Sequence, residues 1–111
     1  MARQFRGSFT VTITPFAEDG KAIDLAAWRR FVDWQLAEGV PGIIILGTTG
    51  EFLTVSDDER RDFVETTVKH VAGRIPVIVG TMNAYTPNAE RYSREAEELG
   101  ADGLMIVPPY Y

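Results

Sequence analysis

The chain has 111 residues, 45% hydrophobic and 24% charged, with a formal net charge of −5 and no cysteine. That composition is that of a folded globular domain and excludes a disordered segment. The acidic balance, with no basic patch, argues against a nucleic-acid partner, and the missing thiols exclude disulfides and thiolate metal sites. The longest apolar run, Ile43 to Leu46, is too short to cross a bilayer, so no membrane partner is expected. Met1 to Arg6 carries no apolar signal-peptide core, and the expected location is the cytoplasm.

The first expected strand is Phe9 to Thr14, stopped by Pro15, which lacks the amide hydrogen a strand interior needs. A turn at Glu18-Asp19-Gly20 follows. Helix one is expected to start at Asp24 as N-cap, with Trp28, Phe31, Val32, Gln35 and Leu36 on one stripe, and to stop near Gly39. The second strand, Gly42 to Leu46, is apolar at consecutive positions, as a strand covered on both faces requires. Ser56 with Glu59 reads as a capping box opening helix two, where Phe63, Val64, Thr67, Val68 and Val71 recur at helical spacing up to Gly73.

Strand three is expected over Ile75 to Val79. Helix three is expected to open at Thr86-Pro87, with proline first in the helix, and to bury Ala89, Tyr92, Ala96 and Leu99 while Glu90, Arg94, Glu97 and Glu98 face water. Gly100 ends it, and strand four, Leu104 to Val107, runs into Pro108-Pro109-Tyr110-Tyr111. The order β-α-β-α-β-α-β fits half of a (β/α)₈ barrel or most of a doubly wound sheet, and periodicity does not separate them. A fourth strand without a following helix leaves an open edge and an uncovered face, so a fragment is expected.

Parallel α/β folds gather reactive groups at the carboxyl ends of their strands. The candidates are therefore Thr14-Pro15-Phe16, Gly47 to Glu51, Gly80 to Asn83 and Pro108 to Tyr111. In the second loop Gly47 and Gly50 allow a tight bend, and Thr48 and Thr49 can turn hydroxyls and amides toward one point, as a carboxylate site does. The alternative is a plain strand-to-helix turn whose threonines bond only to backbone. No lysine follows the loop, which weakens a phosphate-binding reading. His70, late in helix two, reads as a solvated residue complementing the helix dipole, and neither it nor Glu51 is expected to bind metal. Trp28 reads as a packing residue, and Trp34 is expected to cover a contact with another subunit or barrel half.

Gly47-Thr48-Thr49-Gly50-Glu51 after the second strand, Thr14-Pro15-Phe16 after the first and Pro108-Pro109-Tyr110-Tyr111 after the fourth resemble the dihydrodipicolinate synthase / N-acetylneuraminate lyase family along nearly the whole chain. The resemblance implies the N-terminal half of a (β/α)₈ barrel, strands 1–4 and helices 1–3, forming part of one barrel domain over residues 1–111. It also implies a Schiff-base lyase or aldolase acting on pyruvate or another 2-oxo acid, with no cofactor and no metal. Thr49, together with Thr48, would bind the substrate carboxylate. Thr48 and Tyr111 would belong to a proton-relaying chain of hydroxyls, and Gly47, Gly50 and Glu51 would shape the loop. Tyr111 would reach a neighbouring subunit, implying a dimer paired into a tetramer.

The family's Schiff-base lysine lies on the sixth strand, beyond Tyr111. Lys21 and Lys69, the two lysines present, stand in a turn and on a helix, so the 111 residues alone would be inactive. The stretch Gly80-Thr81-Met82-Asn83-Ala84-Tyr85 departs from the glycine-rich run typical of the synthase, which keeps 2-keto-3-deoxy sugar-acid aldolases and dehydratases as alternatives. From other classes, a flavodoxin-like binding module and a half-barrel that only assembles with a second copy also remain.

Overall fold

A computed structural model of the chain describes residues 3–110. Strands and helices alternate as β1 (Thr10–Val11), α1 (Leu25–Ala37), β2 (Ile43–Ile45), α2 (Asp57–Val71), β3 (Val77–Gly80), α3 (Thr86–Glu98) and β4 (Gly103–Met105). A short 3₁₀ turn, Phe52–Thr54, lies between β2 and α2. All three neighbouring strand pairs are parallel, and the sheet order is β1-β2-β3-β4. That order decides between the two architectures left open by periodicity. A doubly wound sheet reverses its strand order at a switch point, whereas a barrel wall adds each strand beside the last.

Register shows which face is covered. Ile43 and Ile45 on β2 and Val77 and Val79 on β3 lie on one face, packed with Trp28, Val32, Phe63, Val64, Val71 and Ala96 of the helices in one buried cluster. Along β1 and the extended segment that follows it, the same face carries Thr10, Thr12 and Thr14. Their hydroxyls donate to Gln35 Oε1, the Ile44 carbonyl and the Gly50 carbonyl. The opposite face holds Val11, Ile44 and Ile78 in register. There Val11 remains 44% exposed, and Ile13 beyond it 53%. Helices therefore cover one side of the sheet only, as in the wall of a barrel.

The core centres on Trp28 of α1, which is fully buried, tilted against Phe63 at 4.7 Å and stacked on Phe31 at 5.6 Å. Its Nε1–H donates to Thr67 Oγ1 at 2.9 Å, and that hydroxyl donates in turn to the Phe63 carbonyl. The indole thus brings its polar edge into the core with a partner in place.

The expected helix starts are largely those observed. The Asp24 carboxylate accepts from the Ala27 amide, and Ser56 and Glu59 form both bonds of a capping box. Three details differ. Thr86 is the first residue of α3 and Pro87 the second, with Tyr85 as N-cap, because both opening positions leave the amide free and proline fits either. Helix α2 turns out of helical geometry at Ala72, in left-handed conformation, before Gly73 does the same. On α3, Ala96 is buried while Ala89, Tyr92 and Leu99 are only half-buried.

The strands are shorter than expected, for local reasons. β2 ends where Leu46 adopts φ 56°, and the β1 ladder ends with it. β3 starts at Val77 because Pro76 has no amide to donate, though its carbonyl accepts from Ile43. β4 covers Gly103–Met105 rather than Leu104 to Val107; the Thr81 amide still reaches the Met105 carbonyl, and the chain then meets Pro108 and Pro109.

His70 is not simply solvated: it is half-buried, with Nε2 2.7 Å from Asp33 Oδ1 on α1. Trp34 is 56% exposed on α1, edge-on to Phe31. Among the described residues no helix is long and apolar enough to cross a membrane.

Candidate functional site

The candidate loops meet at the carboxyl edge of the sheet. The chain leaves β2 through Leu46, whose left-handed backbone is uncommon for a branched side chain and turns the next residues sharply. Gly47 follows. A Cβ there would stand 2.9 Å from Met105 Cε and 3.7 Å from Val11 Cγ1, so the glycine lets neighbouring strands close over the start of the loop. At Gly50 the near neighbours are backbone rather than the end of a flexible side chain, with Leu46 N and the Thr12 carbonyl oxygen 3.1 and 3.2 Å from where its Cβ would lie.

Between these glycines Thr48 and Thr49 are exposed. The Glu51 amide donates to the Thr48 carbonyl at 3.0 Å and closes the turn. Among the described residues, neither threonine hydroxyl has a hydrogen-bond partner, nor do the amides of Thr48, Thr49 and Gly50. The plain-turn alternative would have used those hydroxyls on the backbone, and no such bond is present among the described residues.

Glu51 is exposed and left-handed (φ 56°), and its main chain rather than its carboxylate serves the loop. Its carbonyl accepts from the Thr54 amide and hydroxyl, building the 3₁₀ turn. Nothing in the sequence pattern signalled that turn. It carries Phe52 beneath Tyr110, ring centroids 6.2 Å apart and nearly perpendicular, and leaves Leu53 73% exposed. Tyr110 is itself exposed. Tyr111 lies outside the described residues.

The third loop packs from the other side. Thr81 and Met82 are buried, the Ser93 hydroxyl donates to Thr81 Oγ1 at 2.8 Å, and Tyr85 is exposed. Phe52, Leu53, Val55, Arg60, Met82, Asn83 and Tyr92 line a cavity of about 140 Å³ beside the loop. The Arg60 guanidinium lies 4.3 Å over the Tyr92 ring and donates to the Gly80 carbonyl, and its burial lowers its pKa.

Tyr92 ties α3 to α2. Its hydroxyl donates to Asp57 Oδ1 at 2.6 Å, while Arg91 bonds Asp57 Oδ2 at 2.8 Å. The Tyr92 bond, and then Arg91, hold the Asp57 carboxyl below the usual aspartate range. A lowered folded-state pKa means that the unfolded chain binds more protons, so this contribution to stability is complete above roughly pH 4 and fades as pH falls further. Asp57→Asn is therefore expected to destabilise at neutral pH and to converge on the wild type in acid. Denaturant midpoints measured down the acid limb check this, and parallel curves would mean that the pair contributes nothing.

Neither lysine stands in a strand or directly at a strand end. Lys21 sits in a tight turn stabilised by Asp19, beyond the Phe16–Ile23 bridge, and Lys69 pairs with Glu65 on the exposed face of α2. Among the described residues no group of three potential metal ligands gathers.

Residues 4–111 match the family model described as the dihydrodipicolinate synthetase family. A 4-hydroxy-tetrahydrodipicolinate synthase from Kosmotoga olearia is 48% identical over 107 residues, which are 96% of this chain and 36% of that protein. Dihydrodipicolinate synthase from Thermotoga maritima superposes with a TM-score of 0.91 at 44% identity, covering 98% of this chain and 36% of that one. The chloride-inhibited dihydrodipicolinate synthase from Acinetobacter baumannii complexed with pyruvate superposes with a TM-score of 0.93 at 32% identity, over 97% of this chain and 37% of that one. The chain thus spans little more than a third of the relatives it matches. With the sequential parallel sheet, the single helix-covered face and these matches together, the chain belongs to the dihydrodipicolinate synthetase family.

Proposed function

We propose that residues 1–111 form the N-terminal half of one (β/α)₈ barrel domain, in a cytoplasmic lyase or aldolase that joins pyruvate or another 2-oxo acid to a lysine as a Schiff base. The observation that carries this reading is the pair of exposed threonines on a strained turn, with hydroxyls and amides unclaimed by the described residues. Thr49, with its hydroxyl and amide, binds the substrate carboxylate. Thr48, adjacent to it, joins Tyr111 in moving protons as the imine forms and breaks, because a hydroxyl both donates and accepts.

The lysine that forms the imine lies beyond residue 111, and the 111 residues alone are inactive. Support comes from Lys21 and Lys69, which are held in a turn and on a helix surface rather than at a strand end. The protein works without a cofactor or metal and assembles as a dimer or tetramer. The exposed Leu53 and Tyr110 beside the loop supply an apolar contact for a second copy.

Borohydride reduction in the presence of pyruvate, followed by intact mass and peptide mapping, tests the reading. A pyruvyl adduct is expected in the full-length protein on a lysine after residue 111, and none in the chain of residues 1–111. A fold-dependent adduct on Lys21 or Lys69, or no adduct on the full-length protein, would overturn it.

A further inference from the structure

Thr14 lies just beyond β1 and has no part in the carboxylate or relay roles above. It is nevertheless 4% exposed, and its Oγ1 donates to the Gly50 carbonyl at 2.7 Å across 36 residues of sequence. The peptide unit is planar, so the Gly50 carbonyl and the Glu51 amide are opposite ends of one rigid group. Thr14 grips the first end. The second donates to the Thr48 carbonyl at 3.0 Å. Orienting this one peptide therefore orients the turn that presents Thr48 and Thr49.

The rest of the loop is braced rather than gripped. Leu46 is left-handed, a conformation that costs a residue with a Cβ about 1–2 kcal/mol and persists only where its surroundings impose it. β3 supplies part of that constraint. The Leu46 carbonyl oxygen occupies the space that a Cβ at Gly80 would need, and Arg60 of α2 donates to the Gly80 carbonyl. Such packing fixes where the loop starts but leaves the plane of the Gly50–Glu51 peptide to its hydrogen bonds. Of these, the Thr14 bond is the one that comes from a neighbouring strand.

We propose that Thr14 is a positioning residue for Thr48 and Thr49, acting through the Gly50–Glu51 peptide. The inference rests on the Schiff-base reading for its kinetic consequence, but its structural consequence stands apart. In the full-length protein, Thr14→Val keeps the shape and removes the hydroxyl, whereas Thr14→Ser keeps the hydroxyl. A net hydrogen bond of this kind corresponds to roughly three- to tenfold in an equilibrium or rate constant.

Thr14→Val is expected to raise the pyruvate Michaelis constant and lower turnover by about that factor with little change in melting temperature. Thr14→Ser is expected to restore both. If Thr14→Val does not fold, Thr14→Ala against Thr14→Ser carries the same comparison. Amide exchange gives the second readout: the Glu51 amide should exchange faster in the hydroxyl-less variant and return toward the wild-type rate with serine. Wild-type kinetics in the folded hydroxyl-less variant, a loss that serine does not restore, or an unchanged Glu51 exchange rate would overturn the proposal. A wild-type protein that forms no pyruvyl adduct would overturn the Schiff-base reading instead, and Glu51 exchange would then decide the role of Thr14 by itself.

Discussion

Thr49→Ala in the full-length protein is expected, if Thr49 holds a pyruvate carboxylate as proposed, to raise the pyruvate Michaelis constant by about ten- to a hundredfold, because a hydrogen bond to a charged group is worth roughly 1.5–3 kcal/mol. The carboxylate is present before, during and after the chemical step, so the lost contact weakens ground state and transition state alike and turnover changes little. Thr48→Val is expected to do the reverse, lowering turnover with a smaller effect on the Michaelis constant, since the proposed proton relay would act only while the imine forms or breaks. Both side chains are exposed on the same turn, and neither belongs to the helix-covered core. Melting temperatures should therefore stay close to that of the wild type. Steady-state kinetics with pyruvate varied make the separation visible, and two variants with the same pattern would remove the distinction between the roles.

Trp28→Ala is expected to cost about 3–5 kcal/mol of stability, the range for truncating a fully buried aromatic residue. The indole touches both Phe31 and Phe63, and its loss opens a cavity where α1 and α2 meet over β2 and β3. Trp28→Phe retains a ring and removes the bond to Thr67, so its cost should be nearer 1–2 kcal/mol. Thr67 keeps its own donor bond to the Phe63 carbonyl and is not wholly orphaned. Urea unfolding followed by circular dichroism checks the order, and a Trp28→Ala variant within 1 kcal/mol of the wild type would contradict the packing described.

The uncovered sheet face has an energetic consequence of its own. Val11 and Ile13 lie opposite the helix-packed side, where about 25 cal/mol is gained for each Å² of apolar surface removed from water. In the proposed barrel the remaining strands enclose that face. The row of threonines on the helix side of β1 shows the contrasting solution, with each hydroxyl satisfied by a side chain or carbonyl nearby.

Local chemistry wrote the helices into the sequence. Asp24 and the Ser56–Glu59 box cap the amides of their own first turns, and Trp28, Val32, Phe63 and Val71 recur at a spacing that can make only one buried stripe. The alternation of such segments with Ile43–Ile45 and Val77–Val79 was enough for a parallel α/β sheet, and the threonine pair between two glycines was enough to mark the loop. Beyond what the family resemblance implied about the half-barrel, pattern and spacing left the rest to tertiary structure. The order β1-β2-β3-β4 depends on which strands pair, a choice between distant segments that no local pattern encodes. The left-handed Leu46 would be unfavourable in isolation and is held in part by close packing against Gly80, and the Thr14–Gly50 bond joins residues brought together only when β1 docks on β2. Spacing along the chain reports energies within one turn or one strand; the geometry of the loop is set by contacts between strands.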